Sequence, residues 1–358
     1  MCIGLTFAAS GYLIPQLEDQ KDGFGISKDE GSWIASIMVL GCLTGSILGG
    51  FQSQKLGRKG SMMADAVIFI IATILLVFSP NLFSVLIARF AQGHAVSSSA
   101  VSVPLYTSET SQPSVRKVTG VFAVIFYCAG STLSWILGAS FQWRMAIGLF
   151  IVVPILSILI LLLCPESPQW LLTNGKHDKA QIALNFLRRS SDLVEQEMAE
   201  MKKAMDQHKV INEGILDQIK FILHPSFYKP FAILLLVFPI GMSWSGLITI
   251  GFYKVSLLED AKIPMNPYWA GTLIQIIRSI ASIFGIVLNK KFGRREVYLN
   301  CCFLSCIGTS TLGLYYQFND EEFLVNAGFG WVPIMCMILI YVAYGLGLGS
   351  IPIMLQVI

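Results

Sequence analysis

Ten apolar runs, each about the length that crosses a bilayer, dominate this sequence and leave it very few folds. They lie at roughly 1–17, 32–52, 61–79, 82–106, 118–139, 143–164, 229–253, 267–289, 297–316 and 331–354. Lipid offers no hydrogen bonds, so the backbone inside each run must satisfy its own donors and acceptors, which an α-helix does. Composition agrees: charged residues make up 13% of the chain, against about 25% in a soluble domain. The expected fold class is therefore an all-α polytopic membrane protein.

One short motif occurs twice. Leu56-Gly57-Arg58-Lys59-Gly60 follows the second run, and Phe292-Gly293-Arg294-Arg295-Glu296 follows the eighth. Each is a tight basic turn between two apolar runs. Two related halves sharing one charged hinge are the pattern of many secondary transporters, with a solute path between the halves. Lys and Arg set the orientation. Lys55, Arg58, Lys59, Arg116, Lys117, Lys290, Lys291, Arg294 and Arg295, with the basic residues between Lys176 and Lys229, all fall on one side. That side is expected to be cytoplasmic, with the N-terminus inside.

A polar segment interrupts the series. Residues 165–228 carry two charged, helix-like stretches, 176–189 and 192–209. The expected organisation is a six-span bundle over 1–164, a cytoplasmic helical linker over 165–228, and a second bundle over 229–358. Four spans follow the linker where six would complete a repeat. A C-terminal truncation is expected on that count, together with loss of part of an N-terminal tail. Met1 opens directly into an apolar run without a basic flank, so a cleaved signal peptide is not expected.

Other functions find no residues. There is no G-x-x-x-x-G-K-[ST] loop, no H-E-x-x-H pair and no G-x-S-x-G elbow. No enzyme, cofactor or metal site is expected. The glycines from Tyr344 to Ser350 lie inside an apolar run, where they read as a flexible membrane helix. The eight cysteines fall in or beside apolar runs and are expected to be buried apolar residues. A net charge of +3 gives no reason to expect nucleic acid. Gly41, Gly45 and Gly49 recur every fourth residue, a pattern that lets helix backbones approach closely.

Four segments carry a family resemblance. Gly50-Phe51-Gln52-Ser53-Gln54-Lys55-Leu56-Gly57-Arg58-Lys59 forms the turn after the second span. Ala88-Arg89-Phe90-Ala91-Gln92-Gly93, followed by Val103-Pro104-Leu105-Tyr106-Thr107-Ser108-Glu109, lies in the fourth. Pro165-Glu166-Ser167-Pro168-Gln169-Trp170-Leu171 follows the sixth. Asn289-Lys290-Lys291-Phe292-Gly293-Arg294-Arg295 follows the eighth. In this order and at these positions they resemble the sugar porter branch of the major facilitator superfamily, and within it the insect facilitated trehalose and glucose transporters. The resemblance implies two six-helix bundles, a sugar as solute, facilitated movement by alternating access, and residence in a membrane, the plasma membrane above all. It also implies a gating charge network at the cytoplasmic mouth. Arg58, Lys59, Arg116, Arg294 and Arg295 supply its cations, and Glu109 and Glu166 its anions.

Departures from the family pattern are part of the reading. Gln54 and Lys290 stand where each hinge usually has Asp, and Gln169 stands for an Arg. Val124, Met242, Ser243 and Ile248 stand where amides are expected, and Ile353 replaces a Trp. The polar or aromatic residues left near the path are Ser243, Trp244, Ser245, Thr249, Tyr253, Gln275, Arg278 and Tyr344. Arg278, inside the eighth run, would suit a solute with an anionic group, since a charge at that depth defaults to a functional reading. Asp65 is expected to be interfacial. His94 reads as a packing and hydrogen-bonding residue. Thr6 stands where proton-coupled members carry Asp, which favours uncoupled movement. The alternatives are a transporter-like sensor or receptor that no longer transports, and a porter of a different small organic solute. Oligomeric state is not legible.

Overall fold

A computed structural model describes residues 1–19, 25–112, 116–188, 191–209, 246–317 and 329–349, and among them the secondary structure is entirely helical. Seven helical segments among the described residues are long and apolar enough to cross a membrane. The helices before the linker are α1 (Cys2–Glu18), α2 (Lys28–Leu56), α3 (Arg58–Val77), α4 (Leu82–Thr110), α5 (Arg116–Ser140), α6 (Trp143–Gly148) and α7 (Val152–Leu163). A 3-10 turn, Leu149–Ile151, joins the last two into one span. The linker carries α8 (Pro168–Thr173), α9 (His177–Leu187) and α10 (Ser191–Lys209). Beyond it lie α11 (Leu247–Phe252), α12 (Lys254–Asp260), α13 (Pro267–Lys291), α14 (Arg294–Gln317) and α15 (Val332–Ala343), which continues as a π-helical turn, Tyr344–Leu348.

Local chemistry sets the helix starts. Ser27 and Glu30 form a reciprocal capping box on α2, with Ser27 N–H donating to Glu30 Oε2 at 2.8 Å. Asn81 Oδ1 accepts from Ser84 N–H at 3.0 Å to open α4. Asn266 does the same for α13, where Pro267 fills the first position and needs no partner for the donor it lacks.

The Gly41, Gly45, Gly49 stripe lies against α4, as its spacing predicts. A Cβ on Gly41 would come within 2.2 Å of the Phe90 carbonyl oxygen, and one on Gly45 within 2.2 Å of that of His94. Gly93 answers from α4, where a Cβ would meet the Met38 oxygen at 2.1 Å. The outer faces of these helices are apolar and exposed: Leu43, Ile47 and Phe51 on α2, Leu159 and Ile160 on α7, Phe284 and Val287 on α13, Phe303 on α14. That is the surface a bilayer covers.

Helices from the two sides of the linker meet. Phe7 of α1 stacks on Phe252 of α11 with ring centroids 6.2 Å apart. Trp135 of α5 lies against Gly271 of α13. The linker has its own small core of Leu171, Leu172, Ala180, Ala183, Leu184, Val194 and Met198. Its two helices α9 and α10 match the two stretches expected from sequence.

Asp65 is buried beneath the α2–α4 contact, and it accepts from Gln52 Nε2 at 2.9 Å and from Ser99 Oγ at 3.2 Å. One expectation needs correction. The cysteines are not uniformly buried. Cys128, Cys301 and Cys336 are, but Cys306 is exposed on α14, on a face that lipid can cover as readily as protein can.

Candidate functional site

The duplicated basic turn builds a charge cluster on the linker side. Gly57 takes φ +85°, a backbone state that L side chains avoid, and so turns α2 sharply into α3. Arg58 then points back at the end of α4. Its Nε donates to Glu109 Oε1 at 3.1 Å and Oε2 at 3.0 Å, and its Nη2 donates to Oε1 at 2.9 Å. Nη1 donates to the Ser53 carbonyl at 3.1 Å, closing the turn on itself. Glu109 also accepts from Ser167 Oγ. Such a fork-to-carboxylate arrangement is charge-assisted and geometrically selective for Arg over Lys.

Glu166 works differently. Its Oε1 accepts from Lys59 N–H at 3.0 Å, and its Oε2 accepts from Gly60 N–H at 3.4 Å. It thus caps the first turn of α3, where unsatisfied amides favour an anion. Lys59 Nζ reaches the end of α7 instead and donates to the Cys164 carbonyl at 2.8 Å. Trp170 Nε1 donates to the Gln54 carbonyl at 2.8 Å. The P-E-S-P segment is therefore held to the α2–α3 turn by both charge and backbone.

The predicted network divides here. Arg58, Lys59, Glu109 and Glu166 come together. Arg294 and Arg295 are exposed and make no ion pair among the described residues. Gly293 repeats the positive φ, at +76°, but with open space around it. Arg116 opens α5; its side chain lies outside the described residues. The same turn is thus built twice, and among the described residues only the first copy is occupied by a carboxylate.

A second constellation lies where α5 meets α13. Thr272 Oγ1 donates to the Trp135 carbonyl at 3.2 Å. Gln275 Nε2 donates to Ser131 Oγ at 2.8 Å, and Thr132 and Ser279 hydroxyls lie 2.9 Å apart. Arg278 Nη2 donates to the Tyr127 hydroxyl at 3.3 Å, and Nη1 to Gln275 Oε1 at 3.4 Å. Its guanidinium lies over the Tyr127, Tyr344 and Tyr341 rings at 5.2, 4.8 and 6.0 Å. The π-helical turn makes this possible. Gly345 brings the Tyr344 segment so close to α13 that a Cβ there would meet the Arg278 oxygen at 2.8 Å.

Of the path residues expected from sequence, Gln275, Arg278 and Tyr344 gather here. Tyr253 is half-buried and Thr249 exposed, both beside the α11–α12 break. Ser243, Trp244 and Ser245 lie outside the described residues, as do Met242 and Ile353. His94 makes a hydrogen bond with Thr44 across the α2–α4 contact at 3.2 Å, as a packing residue would. Lys254 is the residue that sequence reasoning missed. It is 1% exposed, with Nζ 4.3 Å from the centroids of both Trp135 and Tyr341. The signal was present: a lysine directly after Phe252-Tyr253, at the end of an apolar run.

Helices wrapped around a polar seam, with a charged turn at one end, define a membrane transport protein by class. The model of the family described as sugar (and other) transporter matches residues 4–357, and the chain belongs to that family. It is 28% identical to the facilitated trehalose transporter Tret1-2 homolog of Drosophila sechellia, over 98% of this chain and 72% of the relative. It is 29% identical to the facilitated trehalose transporter Tret1 of Drosophila erecta, over 96% of this chain and 40% of that longer protein. Among solved structures it is similar to the xylose transporter XylE from E. coli in a partially occluded inward-open conformation. That match has TM-score 0.78 at 18% identity, and covers 99% of this chain and 84% of the other. The fold is that of a major facilitator transporter.

Proposed function

We propose that this protein carries a sugar-like solute across the plasma membrane by alternating access, down the solute's own gradient. The two groups of helices either side of the linker rock about the α5–α13 seam. The linker side faces the cytoplasm. The observation that carries this reading is the row of polar contacts between α5 and α13: Thr272 to Trp135, Gln275 to Ser131, Thr132 to Ser279. A hydroxyl-rich solute must exchange water for matched donors and acceptors, and these side chains supply both. Family membership supports the same reading, as do relatives named trehalose transporters.

The Arg58–Glu109–Glu166 cluster serves as the fixed half of a cytoplasmic gate, and Arg294 and Arg295 as its movable half. Pairs made in one conformation and broken in the other bias a two-state equilibrium. The test is equilibrium-exchange uptake of labelled trehalose and glucose in oocytes, with surface labelling to establish delivery. Saturable uptake above control is expected. No uptake with normal delivery would reject those two sugars as solutes.

One observation favours a second reading. Val124 and Ile248 occupy positions where an amide would bind a neutral sugar. A solute sensor without turnover would tolerate that loss. Saturable binding without exchange flux is the result that would favour it.

A further inference from the structure

Two buried basic side chains face the same aromatic ring beside the α5–α13 seam, and neither has an acidic partner among the described residues. Lys254 Nζ lies 4.3 Å from the Tyr341 centroid, and the Arg278 guanidinium carbon lies 6.0 Å from it. Arg278 is 7% exposed and Lys254 is 1% exposed. Neither makes an ion pair among the described residues. The sequence extends this to the whole seam. No Asp or Glu occurs between residues 116 and 165, between 229 and 258, between 261 and 295, or between 323 and 358. The helices α5, α13 and α15 therefore carry no carboxylate, and the acids of α12 and α14 stand at helix ends: Glu259 and Asp260 close α12, and Glu296 lies in the first turn of α14.

Burying a charge without a counter-charge is costly, and buried charges are ordinarily paired. Tyrosine and tryptophan faces supply only the partial negative charge of a ring quadrupole. Arg278 Nε, moreover, is buried with no hydrogen-bond partner among the described residues. Nε and an Nη on one edge of a guanidinium are the fork that receives a planar carboxylate.

We infer that the seam is an anion site, and that the solute is a polyol carrying a carboxylate, of the sugar-acid class. The carboxylate binds the Nε edge of Arg278, with Lys254 as a second positive charge. Thr132 and Ser279, which bond each other, and Gln275, which bonds Ser131, exchange those contacts for its hydroxyls. This rests on the carrier reading above and narrows its substrate. Carried alone, with no co-moving proton, the anion takes its own charge across the membrane, and its movement is electrogenic.

The test uses this chain in proteoliposomes, with labelled D-glucuronate and labelled D-glucose as probes. Uptake is read at potassium–valinomycin potentials, and binding is read separately by tryptophan fluorescence. Glucuronate is expected to exchange at least tenfold faster than glucose. Its equilibrium accumulation should change about tenfold for each ~60 mV of potential, while glucose should not respond. Arg278→Gln and Lys254→Met should each remove glucuronate binding. Lys254→Met keeps the volume between the two rings, so it tests the charge even where Arg278→Gln fails to fold. Glucose flux with no glucuronate flux or binding would overturn the anion site and leave the carrier standing. Glucuronate binding lost in Lys254→Met, without flux of either solute, would uphold the site and sink the carrier. Neither flux nor binding of either probe would overturn both.

Discussion

Gly57 and Glu166 compete for one space: a Cβ on Gly57 would lie 2.3 Å from Glu166 Oε2. The glycine is therefore required twice over, for its φ of +85° and for the carboxylate beside it. Gly293, its counterpart in the second turn, has a similar φ of +76° and nothing within 4 Å.

That pair makes an internal control. Gly293→Ala should cost only the backbone strain, about 1–2 kcal/mol. Gly57→Ala should cost that strain and also displace the Glu166 cap from α3, worth a further ~1 kcal/mol or more. Thermal unfolding of the two variants in detergent, followed by size-exclusion monodispersity, should rank Gly57→Ala as the less stable. Equal losses would mean that Glu166 is not held where the geometry puts it.

The Arg58–Glu109 pair is largely shielded from solvent, with side chains 16% and 7% exposed. Removing Arg58 alone leaves a shielded carboxylate that only Ser167 partly satisfies. Arg58→Ala and Glu109→Ala should each destabilise by about 3 kcal/mol, and the double variant by clearly less than their sum. Arg58→Lys should recover only part, because an ammonium cannot repeat the three fork contacts. A double-mutant cycle on unfolding midpoints measures the coupling; additive losses would dissolve the pair.

At the opposite end of the molecule, Glu18 closes α1 and Glu259 lies in α12. Burial raises the pKa of both above the ordinary glutamate value of 4.5. For Glu259 the Asp260 and Glu18 carboxylates add to the rise. For Glu18 the Asp260 carboxylate adds to it while Lys28 opposes it. A raised carboxylate binds more protons folded than unfolded, so stability falls as pH climbs from 4.5 through the raised values. Contact between α1 and α12 should therefore tighten under mild acid. Glu259→Gln should flatten that part of the profile. Unfolding midpoints across pH 4 to 7 in both proteins check this, and a wild-type midpoint that rises with pH throughout would contradict the sign.

Much of this architecture is legible in the sequence because membrane helices are specified by run length, a signal that survives any tertiary detail. The Gly41, Gly45, Gly49 contact and the Arg58–Glu109 and Glu166 contacts follow from local spacing and from motifs with fixed span positions. The seam was less legible. Gln275 and Arg278 stand out as polar residues in an apolar run, yet their partners Ser131, Thr132 and Tyr127 lie more than 140 residues away and carry no local signal. Lys254 escaped because it follows the last apolar residue, where a lysine reads as a span end reaching for water. Only the break between α11 and α12 turns it inward. The burial of Asp65 was not legible either, because depth along a helix axis does not fix burial when another helix covers that turn.

Arg188 ties the linker to the transmembrane helices, and its release should be visible without any transport assay. Its Nε donates to Glu197 Oε1 at 2.9 Å and Oε2 at 3.0 Å, holding α9 to α10. Its Nη1 donates to the Thr110 carbonyl at 3.0 Å, at the C-terminus of α4. A cation there satisfies an orphan carbonyl and the negative end of the helix at once. Arg188→Gln should lose both contacts, about 2–3 kcal/mol of local stability. Arg188→Lys should keep the charge and lose the fork, an intermediate loss. Hydrogen exchange should then speed up in α9, α10 and the last turn of α4, and leave α13 unchanged. If α4 exchanges at its original rate in Arg188→Gln, the linker is held to the membrane helices by the Glu166, Ser167 and Trp170 contacts without Arg188.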